Sequence, residues 1–593
     1  MAQSVALGVH AAGGDGDPKD RYKWVALFNC TLGTLMATID GSIVLIAMPD
    51  IFNGIHLDPL QAGNSSYLLW LILGFLITTS VLVVNFGRLG DLYGRVRLYN
   101  LGFVVYTFFS LMLAITWTSG RAAAFYLVIM RIFQGVGSAL LLAQSPAIIT
   151  DAFPANQRGM ALGIQNIVGI AGIFIGLVLG GVLAPINWRL IFYISVPVGV
   201  LGTAWAYWKL EERGERHRAP IDWLGNTTFA IGLVLLMVGI TYGIEPAGGS
   251  PTGWTSTPVL AELSSGIALL GAFVLIETRV ANPMFRLALF RIRAFTAGTL
   301  STFLSGIARG GLMFTLIIWL QGIWLPEHGY SFSSTPLWAG IYMLPLTGGF
   351  LLAGPLSGVL SDRFGSRPFA TGGMLLSAAS FGLLELLPTN FPYSAFALLL
   401  FMNGIAMGTF SSPNRAGVMN SLPPRHRGAG GGMNSTFQNS SQVLSIGIFF
   451  TLLISGLSGT LPPSLAHGLV HAGVPLKDAT RLSHLPPVSV LFASFLGYNP
   501  LTHLLGPATV ARLPHAALIT GRKFFPSLIA APFRSGLREA FTFAIVACLI
   551  AAWASWLRGG RYTYVEKDPK PAVAPKTADE AATEAPMPIE VGT

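Results

Sequence analysis

The chain has 593 residues, 10% of them charged and 52% hydrophobic, with a mean hydropathy of +0.62 and a net charge of +10. Soluble chains carry about 25% charged residues, so this composition excludes a water-soluble protein. The basic residues stand singly or in small groups between apolar runs, which excludes a nucleic-acid binder, and two cysteines inside apolar runs (Cys30, Cys548) exclude a disulfide framework or a Cys-based metal site.

A spanning helix needs roughly 20 mostly apolar residues. Fourteen runs qualify, at 24–48, 65–86, 98–117, 122–150, 159–184, 189–208, 223–244, 257–277, 294–321, 336–358, 368–388, 394–420, 429–456 and 537–558. The expected fold is an all-α polytopic membrane protein. The first twenty-odd residues (1–23) lack a basic-then-apolar leader pattern, and with the tail 559–593 they read as disordered. EERGERHR at 211–218 reads as a charged linker. The segment 457–536 is rich in Pro, His and Leu, and its longest apolar run, VSVLFASFLG, is too short to span. A lid, an interfacial helix and a small hairpin all suit it.

Lysine and arginine set the expected orientation. With the N-terminus cytoplasmic, Arg88, Arg95, Arg97, Arg213, Arg216, Arg218, Arg286, Arg291, Arg293, Arg425 and Arg427 all fall on inner loops, and the even span count leaves both termini inside.

Two charged turns punctuate this pattern. GRLGDLYGRVR (Gly87 to Arg97) and GVLSDRFGSR (Gly358 to Arg367) share G-x-L-x-D-x-x-G at an offset of 271 residues. At nearly the same offset RGMALG at Arg158 matches RGAGGG at Arg427, Gln134-Gly135 matches Asn403-Gly404, and Pro146 matches Pro413. The chain therefore reads as an internal duplication. A first six-helix bundle (24–208) corresponds to a second (294–558, including the loop 457–536), with linker and inserted hairpin between them (209–293). Parallel six-helix halves are a transporter plan. In each turn glycines permit tight turning, and the acid and arginines can bond helix ends. Gly87, Asp91, Gly94, Arg95 and Arg97, with Gly358, Asp362, Gly365 and Arg367, are thus candidates for a cytoplasmic gate; a fixed loop is the plainer alternative.

These turns resemble the signature of the major facilitator superfamily. RIFQGVGSA (Arg131 to Ala139) is similar to its fourth-helix motif, and GIFIGLVLGG (Gly172 to Gly181, with Gly176 and Gly180) to its helix 5 glycine motif. TIDGSIVLIAMP, WRLIFYISVP and DWLG, with fourteen helices, make the chain similar over 24–558 to the 14-helix drug:proton antiporter (EmrB/QacA-type) family. Leu177 stands where that family's glycine motif carries proline, and Ser195 where helix 6 carries asparagine. The resemblance implies a multi-pass plasma (inner) membrane protein, a monomer of two pseudo-symmetric bundles, multidrug efflux with antibiotic resistance, and no enzymatic activity.

Ionisable residues in mid-membrane cost roughly 2.5–3.5 kcal/mol each on insertion scales and mark function by default. Asp40, Arg131 and Arg309 are the clearest, and Asp40 and Arg309 are mates under the 269-residue offset. An acid in one half and a base in the other are expected to face a shared central cavity, with Asp40 exchanging protons and Arg131 tuning it, as the resemblance implies. A static ion pair is the alternative. Tyr67, Trp70, Gln144, Gln165, Asn166 and Gln438 are candidate substrate contacts. HGLVH (His467 to His471) lacks a third metal ligand, and the glycine clusters lack P-loop spacing, so no metal and no cofactor are expected and a proton gradient supplies the energy. The expected partners are membrane lipids, protons and a small amphiphilic substrate. Alternatives are export of a lipid or endogenous metabolite and, more remotely, a polytopic membrane enzyme.

Overall fold

The computed structural model describes residues 18–559 apart from 59–60, 62, 155–156, 214–221, 244, 249, 251, 281–282, 284, 424–426, 498, 500, 502–504, 507–509, 511–512 and 514. Of the segments read as disordered (1–23 and 559–593), 1–17 and 560–593 lie outside the described residues, as does most of the charged linker, while 18–23 are not disordered but form the start of the first helix, Pro18–Gly54.

Among the described residues, fourteen helices long and apolar enough to cross a membrane follow one another: α1 Arg21–Gly54, α2 Ser66–Tyr93, α3 Arg95–Ala114, α4 Gly120–Ala152, α5 Met160–Leu183, α6 Leu190–Lys209, α7 Trp223–Gly243, α8 Thr257–Glu277, α9 Arg293–Glu327, α10 Thr335–Phe364, α11 Ser366–Leu386, α12 Tyr393–Asn420, α13 Gly430–His471 and α14 Phe524–Trp556. Every expected span is present. Exposed side chains such as Leu201, Trp208, Ile267, Leu352 and Leu398 cover the outer surface with apolar area that only lipid can match. The even number of spans places the start of α1 and the end of α14 on one face, called here the termini face.

The duplication is visible in backbone detail. The helices that carry α5 and α13 begin at Arg158 and Arg427. Both charged turns break at a glycine with positive φ, Gly94 at 111° and Gly365 at 85°, a conformation that a side chain would strain. Pro146 and Pro413 both lie inside helices, α4 and α12. α7 and α8 pack mainly on each other, and α7 alone leans on both halves, through α2 and α13. Asp222 of the DWLG stretch caps this hairpin, accepting the Gly225 N–H at 2.8 Å.

The segment 457–536 differs from a loop. α13 runs on to His471 and α14 begins at Phe524, so most of its ends are helix. At 42 residues α13 is about 63 Å long, roughly twice the ~30 Å hydrocarbon core. Glycine-to-glycine contact between Gly456 and Gly536 lets the two helices run closely together. The short apolar run forms a helix, Pro487–Phe495, buried along its entire length. Phe492 packs on Phe450, Phe495 on Phe314, and the Ser494 hydroxyl donates to the Gly322 carbonyl at 2.6 Å. It is a wedge against α9 and α13, not an interfacial helix.

The two halves meet at the face opposite the termini. There Gly181 of α5 lies against the Leu337 and Pro336 backbone of α10, and a Cβ on Gly340 would sit 3.0 Å from the Leu177 carbonyl oxygen. Leu177, in the proline slot, is fully buried at this seam, and its helix is unbroken from Arg158 to Leu183. Gln321 of α9 also donates to the Ile46 carbonyl of α1, at 3.4 Å. On the termini face, α4 and α5 make no extensive packing with α12 and α13. A Cβ on Gly163 of α5 or Gly432 of α13 would meet nothing within 4 Å. The halves are thus packed more closely at the opposite face than at the termini face.

Candidate functional site

Asp40 lies mid-way along α1, fully buried, and Arg131 of α4 is 1% exposed beside it. Arg131 Nη1 donates to Asp40 Oδ2 and, at 2.7 Å, to Gln134 Oε1. Its Nε reaches the Leu71 carbonyl of α2 at 3.3 Å, and its guanidinium lies 4.2 Å from the Phe75 ring centroid. Gln134 Nε2 donates both to Asp40 Oδ1 at 3.2 Å and to the Ser110 hydroxyl of α3 at 2.7 Å. Four helices thus converge on one acid–base pair with its hydrogen bonds supplied, the condition under which buried charges persist.

The second half repeats this frame with different chemistry. Asn403 donates to the Ser380 hydroxyl at 2.6 Å, as Gln134 does to Ser110. Where Asp40 stands in the first half, Arg309 stands in the second; where Arg131 stands, the buried Leu400 does. Arg309 folds back on Ser305 and lies 5.3 Å from the Phe410 ring centroid. Asp40 and Arg309 are positional equivalents, but the expectation that both face one cavity is corrected: Asp40 is enclosed within the first bundle and Arg309 is held within the second.

The charged turns also differ between halves. Arg95 donates to Asp91 Oδ1 at 2.9 and 2.7 Å and to both oxygens of Asp151 on α4 at 2.7 and 2.6 Å. Glu212, in the linker, accepts the Arg95 and Val96 N–H groups at 2.8 and 3.1 Å and so caps α3. Asp151 and Glu212 escape sequence reading because neither lies in the turn motif. In the second copy, Arg367 stacks 3.8 Å from the Trp556 ring, and Arg558 donates to Ser366 at 3.1 Å and to Asn414. Asp362 is exposed. Gly87 has open space around it, and Gly358 approaches Ser412 of α12. Arg97 is exposed.

The glycines of α5 admit α1. A Cβ on Gly176 would lie 2.5 Å from the Ile39 carbonyl oxygen, on Gly180 2.9 Å from that of Ile43, and on Gly172 3.3 Å from that of Leu35. This approach sets the backbone on either side of Asp40.

The substrate candidates separate on rotation about their helices. Gln144 is buried, donating to the Phe86 carbonyl at 2.5 Å, and Gln165 is buried on the Thr34 hydroxyl at 3.0 Å. Each gives its amide N–H to helix packing, and Gln144 Oε1 is buried without a partner among the described residues. Trp70 faces Tyr242 of α7, with ring centroids 6.4 Å apart. Tyr67 lies near the opposite-face end of α2. Asn166 accepts from Arg415 of α12 at 3.1 Å, bridging the halves, and Gln438 is exposed on α13. A cleft of about 530 Å³ between Glu327, Thr389, Leu518 and Lys523 holds none of these residues. Among the described residues no group of three or more His, Cys, Asp or Glu could hold a metal.

The profile of the Major Facilitator Superfamily matches residues 30–444, which takes in both turns and both bundles' first helices. The chain belongs to the major facilitator superfamily. Superfamily membership makes it a transporter, and named relatives agree. It is 29% identical to the riboflavin transporter RibZ of Clostridioides difficile over 74% of this chain and 90% of that one. It is 26% identical to the tetracenomycin C resistance and export protein of Streptomyces glaucescens, over 89% and 90%. Multidrug resistance protein Stp of Mycobacterium tuberculosis is 26% identical over 86% and 93%. Among solved structures, a bacterial homologue of the human lysosomal transporter Spinster superposes with a TM-score of 0.56 at 16% identity, covering 92% of this chain and 98% of that one. That likeness establishes the facilitator fold.

Proposed function

We propose that this superfamily member is a proton-coupled secondary active exporter of an amphiphilic compound, working by alternating access. The observation that carries the reading is the Asp40–Arg131–Gln134 cluster: a carboxylate at mid-membrane, closed to water, whose counter-charge comes from a second helix. Protonation of Asp40 would cancel one charge and leave Arg131 with Gln134 and Leu71 as acceptors, changing the α1–α4 contact. A proton moving through about 100 mV supplies roughly 2.3 kcal/mol, enough to bias two conformations of similar energy. Relatives named for drug resistance and export support the direction of transport. The Lys and Arg of the short loops support a cytoplasmic termini face in a plasma-membrane protein, which we read as a monomer.

In proteoliposomes with an imposed pH gradient, Asp40→Asn is expected to fold but to lose gradient-driven transport. Undiminished coupled transport by this variant would overturn the assignment. A metabolite as substrate is the second reading, favoured by the relative named as a riboflavin transporter. Competition between riboflavin and cationic dyes in the same assay separates the two.

A further inference from the structure

Helices α11 and α14 pack side by side and are tied at both ends. On the termini face Arg367 stacks on Trp556. On the opposite face Arg538 Nε donates to Glu385 Oε1 and the Thr542 hydroxyl to Glu385 Oε2, each at 3.2 Å. Eighteen residues separate the two ties along each helix, 367 to 385 and 538 to 556. At 1.5 Å per residue that is about 27 Å, close to the ~30 Å hydrocarbon core. Exposed Trp553 and Trp556 mark one boundary of this core, as interfacial tryptophans do, so Arg538 stands at the head groups of the other leaflet.

Arg534 lies one turn further out, exposed, and the Arg538 side chain is 77% exposed. Among the described residues no hydrogen bond or ion pair holds Arg534, and Arg538 gives only its Nε, so its two terminal nitrogens are free. Glu385 thus answers one of the two cations, and the exposed Glu539 stands about 100° round the helix from Arg538. Toward mid-membrane the same face turns apolar: Val546, Leu549, Ile550 and Trp553 are all exposed, with Leu549 and Trp553 within about 60° of Arg538 on the helix. A guanidinium fork suits phosphate oxygens, and the apolar track beneath it suits a hydrocarbon chain. A small dissolved anion would match the arginines and leave the track uncovered; an anionic phospholipid matches both. We propose that Arg534 and Arg538 hold the head group of an anionic phospholipid in the leaflet opposite the termini, with its acyl chain laid along α14 beside Leu549. The site lies on the outside of the second bundle and stands independently of the export reading.

The test uses the full-length protein with Cys30 and Cys548 replaced by alanine, in phosphatidylcholine nanodiscs. A bimane label is placed by Val546→Cys on the α14 track or by Ile267→Cys on exposed α8. Phosphatidylglycerol or phosphatidylcholine with a nitroxide mid-way along one chain is titrated in as quencher. At 546 the anionic lipid is expected to associate about tenfold more strongly than the zwitterionic one, the scale of two surface arginines; at 267 the two should quench alike. Arg534→Gln with Arg538→Gln should erase the preference at 546, and the Lys pair, which keeps the charge without the fork, should retain about threefold of it. Arg534→Gln alone, which breaks no contact, should lower the preference about threefold. Glycerol 3-phosphate at millimolar concentration should leave the quenching unchanged. Equal association of the two lipids at 546, the same preference at 267, full preference in the folded Gln variants, or displacement by glycerol 3-phosphate would each overturn the proposal.

Discussion

Asp40 and Arg131 are conspicuous as letters, because a charge inside an apolar run is rare, but their bond is a property of four helices. Removing one partner leaves the other charged and buried. Arg131→Gln alone is therefore expected to destabilise by about 3–5 kcal/mol, whereas Asp40→Asn together with Arg131→Gln should recover much of that loss. Thermal unfolding of the single and double variants in detergent measures the coupling. Gln134 could have been found from sequence, since it lies three residues after Arg131 and so on the same helix face. Gln144 and Gln165 could not be dismissed from sequence, because which face of an apolar helix points at a neighbour depends on packing. A second titrating residue lies outside the spans. Burial pushes the Glu245 carboxyl from its ordinary 4.5 up to about 7, against a smaller downward pull from the Ser66 hydroxyl. The folded protein thus prefers Glu245 neutral. The stability it contributes is fully present below about pH 4.5 and is lost as pH rises to about 7, so melting should fall between about pH 4.5 and 7 in the unmodified chain and stay flatter in Glu245→Gln.

At the scale of elements, α5 was readable as glycine-rich, and the structure shows what the glycines admit. Gly176→Ala would press a methyl into the Ile39 carbonyl of α1 and is expected to lower the yield of folded protein sharply. Gly163→Ala, with open space around it, should gain up to about 1 kcal/mol of helix propensity. Size-exclusion profiles and melting temperatures of the two variants give the comparison. The helices themselves were legible in number and order, because length and hydropathy are local quantities, but not in extent: α14 begins at Phe524 rather than 537, and α13 runs on to His471 rather than 456. The long segment 457–536 was not, because Pro462 and Pro463 lie within a helix that α14 braces, and because the buried run at Pro487–Phe495 is too short to announce its tertiary role. Proline is a breaker only where nothing else holds the chain.

For the whole molecule, duplication gave the frame and the departures from it carry the function. The first half holds an acid paired with an arginine, and the second holds an arginine opposite a leucine. The charged turns repeat in backbone, but their side-chain bonding differs: Arg95 of the first is tied to Asp151 and Glu212, while Arg367 of the second stacks on Trp556. Closure at one face and openness at the other make a prediction for labelling. With Cys30 and Cys548 replaced by alanine, a water-soluble maleimide should modify Gly432→Cys rapidly from the termini face and leave Gly340→Cys, packed on Leu177, unmodified. Rapid reaction at Gly340→Cys with protection at Gly432→Cys would mean that the opposite state dominates.

The overlong α13 has a mechanical consequence. Its last 15 residues beyond Gly456 extend about 22 Å further, braced by α14, and both helices are rigidly continuous with the second bundle. If that bundle rocks by about ten degrees, the tip near His471 sweeps roughly 4 Å, so the rod works as a pointer that displays the state of the interior at the surface. A binder clamped on the rod would stall the cycle without touching the path of the cargo, and a fluorophore on it would report each turn as it happens.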